Sequence, residues 1–105
     1  MIRIVHDDER FILTACGHAN YAEKGKDIVC AAASALVFNL IGYCDKVEKY
    51  CNGMKIVCDK DDCEARTVFK AVTHSLKVLE RSYPENILVT LGNLNDDTQE
   101  RLQKG

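Results

Sequence analysis

Between residues 28 and 44 the chain carries no charged side chain, and its only clearly polar groups there are Ser34, Asn39 and the Tyr43 hydroxyl. Asp27 stands directly before this run, and its carboxylate can accept from the unpaired amides of a first helical turn. Only Gly42 interrupts residues 28–50, so the pattern predicts one long helix over that range. A helix apolar nearly all round must be covered on more than one side. One side can rest on a sheet, and the other needs a second helix or a second copy of the chain.

The remaining segments supply the sheet. Residues 2–5 and 11–16 are short β-prone runs joined by a polar connection, which predicts a hairpin. Residues 17–26 hold Gly17, Asn20 and Gly25 without apolar periodicity and read as a loop. Asn52-Gly53 reads as a turn, with residues 54–58 as a strand. From 62 to 83, Ala65, Val68, Phe69, Val72, Leu76 and Leu79 recur at three- and four-residue spacing, the mark of an amphipathic helix. Pro84 ends it, residues 87–91 form a last strand, and the polar tail 93–105 has room for a short helix. The order ββαβαβ predicts an α+β fold of sandwich-like character, with two main helices packed on a mixed sheet. With 105 residues, the chain is expected to form a single domain that buries roughly two thirds of its unfolded surface.

Charge and cysteine usage narrow the partners. A net charge of -2 argues against nucleic acid, which is held by clustered Lys and Arg. No run approaches the roughly 18 apolar residues of a membrane span, and the first residues turn charged too soon for a signal peptide, so the expected setting is cytoplasmic. Six cysteines would suit a disulfide framework in a secreted chain. A zinc site is disfavoured because no Cys-x-x-Cys pair occurs. The thiols therefore read mostly as small buried hydrophobes, Cys16 on its strand among them, and neither metal nor cofactor is expected. His6 in the hairpin turn and His74 off the apolar stripe read as solvated.

With Asp27 as the cap, Cys30 falls in the first turn, where unpaired amides and the positive end of the helix dipole favour a thiolate. His18 ends the second strand, and the eleven residues between the two are enough to fold back beside the helix start. An imidazole there can take the thiol proton and later return it to a leaving amine. On spacing alone, a first-turn Cys of an apolar helix is more often a core residue than a catalyst.

The text Gly17-His18-Ala19, a glycine-containing loop, then Gly25-x-Asp27-Ile28-Val29-Cys30-Ala31-Ala32-x-Ser34-Ala35 resembles the signature of the ribosomal-processing cysteine protease family. The resemblance implies a cysteine endopeptidase with a dyad of Cys30 and His18, twelve positions apart. It also implies a homodimer and, as partner, large-subunit ribosomal protein twenty-seven, from which a hydrophobic N-terminal extension is removed. Related proteases act on phage structural proteins. Asp27 and Ser34 are then supporting residues, although a helical Ser also bonds back to the carbonyl four residues earlier. Gly17 and Gly25 read as hinges, and residues 19–26 as a lid with Tyr21 contacting substrate. The competing functions are a non-enzymatic dimeric module that binds ribosomal or phage proteins, and a redox sensor built on Cys16 and Cys30.

Overall fold

The computed structural model describes residues 1–18, 22 and 27–94. The elements are β1 (Ile2–Asp7), β2 (Ile12–Cys16), α1 (Ile28–Ile41), β3 (Lys46–Tyr50), β4 (Gly53–Val57), α2 (Cys63–Ser82) and β5 (Ile87–Leu91). They build one sheet in the order β3-β4-β2-β1-β5. Only the β1–β5 pair is parallel; β1–β2, β2–β4 and β3–β4 are antiparallel. The α+β class, the mixed sheet and its two helices are as the sequence led one to expect.

One strand was misread as helix. Rather than running to Tyr50, α1 stops at Ile41; Gly42 caps it, and Tyr43 N–H turns back to the Leu40 carbonyl at 2.9 Å. Lys46–Tyr50 is instead a strand that pairs with β4. The chain order is therefore ββαββαβ. The hairpin turn moves with it, from Asn52-Gly53 to Cys51-Asn52, because Tyr50 pairs with Gly53.

Period-2 alternation sends Ile2, Ile4, Leu13, Ile56, Ile87 and Val89 to one face, where both helices cover them. From α2, Ala65, Phe69, Val72 and Leu76 seal this core, and the Phe69 ring meets Phe11 edge-on with centroids 5.2 Å apart. From α1 comes a narrower stripe of Val29, Ala33, Val37 and Leu40. Its Ile28 and Phe38 stay 55% and 60% exposed, so within one chain α1 is covered along one stripe.

His6 corrects another expectation. β1 runs two residues further than its apolar text suggested, and the alternation of Ile2 and Ile4 carries His6 into the same face. It is buried, with Nδ1 2.7 Å from Asp8 Oδ1. Next to it, on the opposite face, Asp7 is also buried and serves as a hub. Its carboxylate accepts from the Glu9, Arg10 and Leu94 amides and from the Arg10 guanidinium. Burial pushes this carboxyl up, but those donors outweigh it and hold it below the usual carboxylate range. The hub ties the β1–β2 turn to the chain leaving β5. The thiols also differ from expectation, since only Cys58 is buried. Cys16, Cys30 and Cys44 are half-buried, Cys51 and Cys63 are exposed, and no disulfide joins them.

Candidate active site

Three chain segments meet at one end of the sheet. β2 ends at Cys16, and Gly17 follows with φ +86°, a conformation that glycine adopts without strain. A Cβ at Gly17 would collide with the Met1 carbonyl, so glycine is required by space as well as by φ. Gly17 N–H donates to the Asn52 carbonyl at 3.0 Å, which pins the β3–β4 turn beside the exit of β2. His18 comes directly after and is exposed.

The helix start is the third segment. Asp27 has extended backbone and its carboxylate accepts from Cys30 N–H at 2.9 Å, the geometry of an N-cap. This fixes the first turn and with it the half-buried Cys30. The bond also narrows where an oxyanion donor can come from. Cys30 N–H is committed to the Asp27 side chain, and Ala31 N–H donates to the Asp27 carbonyl at 3.1 Å.

His18, Cys30 and Ser34 line a single cleft of about 730 Å³ together with Cys16 and Gly17. Ser34 sits one turn beyond Cys30 on the wall of this cleft. Asp27 does not line it and acts from behind, through the Cys30 amide. Tyr21, Gly25 and all of the lid at 19–26 except Ala22 lie outside the described residues, as does the tail beyond Leu94.

The sequence reading missed the walls. Val37, Phe38 and Ile41 of α1 face Val47 of β3 and Met54 of β4 across the cleft. A wall made by β3 is invisible while residues 46–50 are assigned to a helix. Away from the cleft floor, Tyr50 donates to Glu48 Oε2 at 2.6 Å, and Lys46 Nζ lies 2.9 Å from Glu48 Oε1. The Tyr50 bond first, then Lys46, holds the Glu48 carboxyl low, while burial and Glu48 push the Tyr50 phenol up to about 12. Both thus keep their charge state at neutral pH. Burial raises Cys44 and carries Cys58 up to about 12, so both are poor nucleophiles. Among the described residues no cluster of His, Cys, Asp and Glu could hold a metal ion, and no helix is long and apolar enough to cross a membrane.

The cleft's thiol and imidazole at one end, with apolar walls beyond, are the parts of a thiol peptidase. The family model of cysteine protease Prp matches residues 1–88. The chain belongs to the cysteine protease Prp family. Membership makes it a cysteine peptidase by class. Among its Prp relatives is the ribosomal processing cysteine protease Prp of Mycoplasma genitalium, 36% identical over 83 residues, covering 73% of this chain and 84% of that one. The Bacillus subtilis Prp is 31% identical over 103 residues, covering 85% of this chain and 92% of its own. The fold is that of the essential ribosomal processing protease Prp from S. aureus, crystallised with a covalently linked product peptide. The match has a TM-score of 0.73 at 27% identity and covers 87% of this chain and 97% of the other.

Proposed function

We propose that this chain is an endopeptidase in which Cys30 is the nucleophile and His18 the general base, and that it removes a hydrophobic N-terminal extension from large-subunit ribosomal protein twenty-seven. The observation that carries the reading is the shared cleft of about 730 Å³: His18 and Cys30 both line it, together with apolar side chains of α1, β3 and β4. The Cys30 thiolate attacks the scissile carbonyl carbon, and the tetrahedral adduct collapses to a thioester as the amine leaves with a proton from His18. Water, deprotonated by His18, then releases the carboxylate and restores the thiol. The covalently linked product peptide of the S. aureus relative supports a nucleophilic rather than a direct hydrolytic route.

Ribosomal processing in the names of the relatives supports the substrate and, with it, a cytoplasmic setting. The exposed Ile28 and Phe38 on α1 support pairing with a second copy, so the protein should sediment at twice its 11.8 kDa chain mass. Mass spectrometry of the ribosomal protein after incubation with the pure enzyme tests the activity. The expected result is a single cut inside the extension by the wild type and none by Cys30→Ala. Equal processing by both would overturn the reading, and processing by neither would leave only a binding module.

A further inference from the structure

β3 is the outermost strand of the sheet, and its side chains form one wall of the cleft. Which of its backbone groups face outward follows from the hydrogen bonds of its neighbour β4. Asn52 O accepts from Gly17 N, and Cys58 N donates to Phe11 O, both at 3.0 Å. The even-numbered residues of β4 therefore bond to β2. The odd-numbered ones, Gly53, Lys55 and Val57, bond to β3, as the 2.8 Å bond from Asp45 N to Val57 O confirms. In register, Gly53, Lys55 and Val57 pair with Tyr50, Glu48 and Lys46. Antiparallel pairs alternate between bonded and non-bonded. Val47 and Lys49, opposite Ile56 and Met54, accordingly turn their N–H and C=O groups away from the sheet.

The same two residues send their side chains into the cleft, so at Val47 and Lys49 the open edge and the cleft wall coincide. β3 returns antiparallel to α1, from Ile41 and Val47 at the far end to Cys51 beside Gly17 and His18. Lys49 stands two residues before Cys51. At roughly 3.3 Å per strand residue, it faces a peptide position about two to four residues from a bond held at Cys30. Among the described residues, Lys49 is also the only Lys, Arg, Asp or Glu lining the cleft.

We infer that an extended peptide substrate adds to β3 as a further strand, bonded to the backbone of Val47 and Lys49, and that Lys49 selects an acidic residue on that stretch. Main-chain bonds at a sheet edge supply affinity without regard to sequence, and alternate side-chain pockets supply choice. Val37, Phe38 and Ile41 take the apolar residues that point inward, and Lys49 offers a charge against which a carboxylate can be matched. The inference rests on the peptidase reading of the cleft but is tested apart from it.

The test uses the Cys30→Ala protein with a peptide of the ribosomal extension at saturating concentration, read by residue-resolved amide exchange. In the absence of peptide, the Val47 and Lys49 amides should exchange quickly and those of Glu48 and Tyr50 slowly. With peptide bound, Val47 and Lys49 should slow by about tenfold or more, as one gained hydrogen bond each would produce. Unchanged exchange at both positions with peptide bound overturns strand addition, and failure of the peptide to bind at all overturns it as well. In the wild type, single backbone N-methylation along the peptide should lower kcat/KM at every second residue, whereas a uniform response counts against the model. Lys49→Glu should reverse a preference for Glu over Lys at the facing position, read as the ratio of kcat/KM for the two peptides. If that preference stays, the role of Lys49 falls while the peptidase reading stands; if no peptide is cut by either protein, the peptidase reading itself fails.

Discussion

The two helices of this molecule are built to opposite plans. α2 has a wet face and a dry one, Asp62 accepting from Glu64 and Ala65 amides at its start, Glu64 in its first turn and Arg81 in its last. Every one of these stabilises a helix by itself. α1 has its cap, Asp27, but no acid in its first turn and no base in its last. Its positive end is thus offset by the Asp27 carboxylate alone, with no second acid in the turn that carries Cys30. α2 is arranged for stability, whereas α1 gives up part of that stability around a reactive group.

Core truncation should separate them most strongly. Phe69→Ala on α2 removes a fully buried ring and is expected to cost about 3–5 kcal/mol. Phe38→Ala on α1 should change monomer stability by no more than about 0.5 kcal/mol, yet lower peptide cleavage, because that ring lines the cleft. Urea denaturation and kcat/KM on the two variants would measure this, and a large stability loss at Phe38 would break the contrast.

The caps sharpen it. Asp27→Ala and Asp62→Ala should each cost about 1 kcal/mol, but only Asp27→Ala should slow cleavage, since only Asp27 holds the Cys30 amide. Equal activity in both would reduce Asp27 to a cap alone. The smallest effect is expected from Ala31→Glu, which puts an acid in the exposed first turn of α1. It should stabilise by about 0.3–1 kcal/mol and slow alkylation of Cys30. In the unaltered protein near neutral pH, Cys30 should alkylate first and Cys58 last, because a thiol pushed up to about 12 holds little thiolate there.

The same contrast explains what the sequence revealed. α2 was legible to within a residue because its pattern repeats at helical spacing and its cap precedes it, and the Asp27 cap was equally plain. The far end of α1 was not, since Gly42 was the only Gly or Pro between residues 28 and 50, and the change from an uncharged run to the charged text at 45–49 was not read as a boundary. β3 carries no clean period-2 alternation, because Lys49 shares a face with Val47, so its strand character rests on the pairing with β4. His6 was misplaced for a like reason: the charges at 7–10 suggested a turn, while the sheet continued beneath them because the Arg10 and backbone donors satisfy Asp7. His18 and Cys30 were picked out by the match to the family motif rather than by spacing, and the strand end and helix start that bring both to one cleft are each locally encoded.

The central claim is that Cys30 forms the bond to substrate with His18 as its base. Acid-quenching the enzyme during turnover of the extension peptide, then mapping the acyl mass by tryptic mass spectrometry, tests it most directly. The account predicts an adduct on Cys30 in the wild type, and almost none in His18→Ala. An adduct on Cys16 or Cys51 instead, or wild-type acylation of Cys30 without His18, would contradict it.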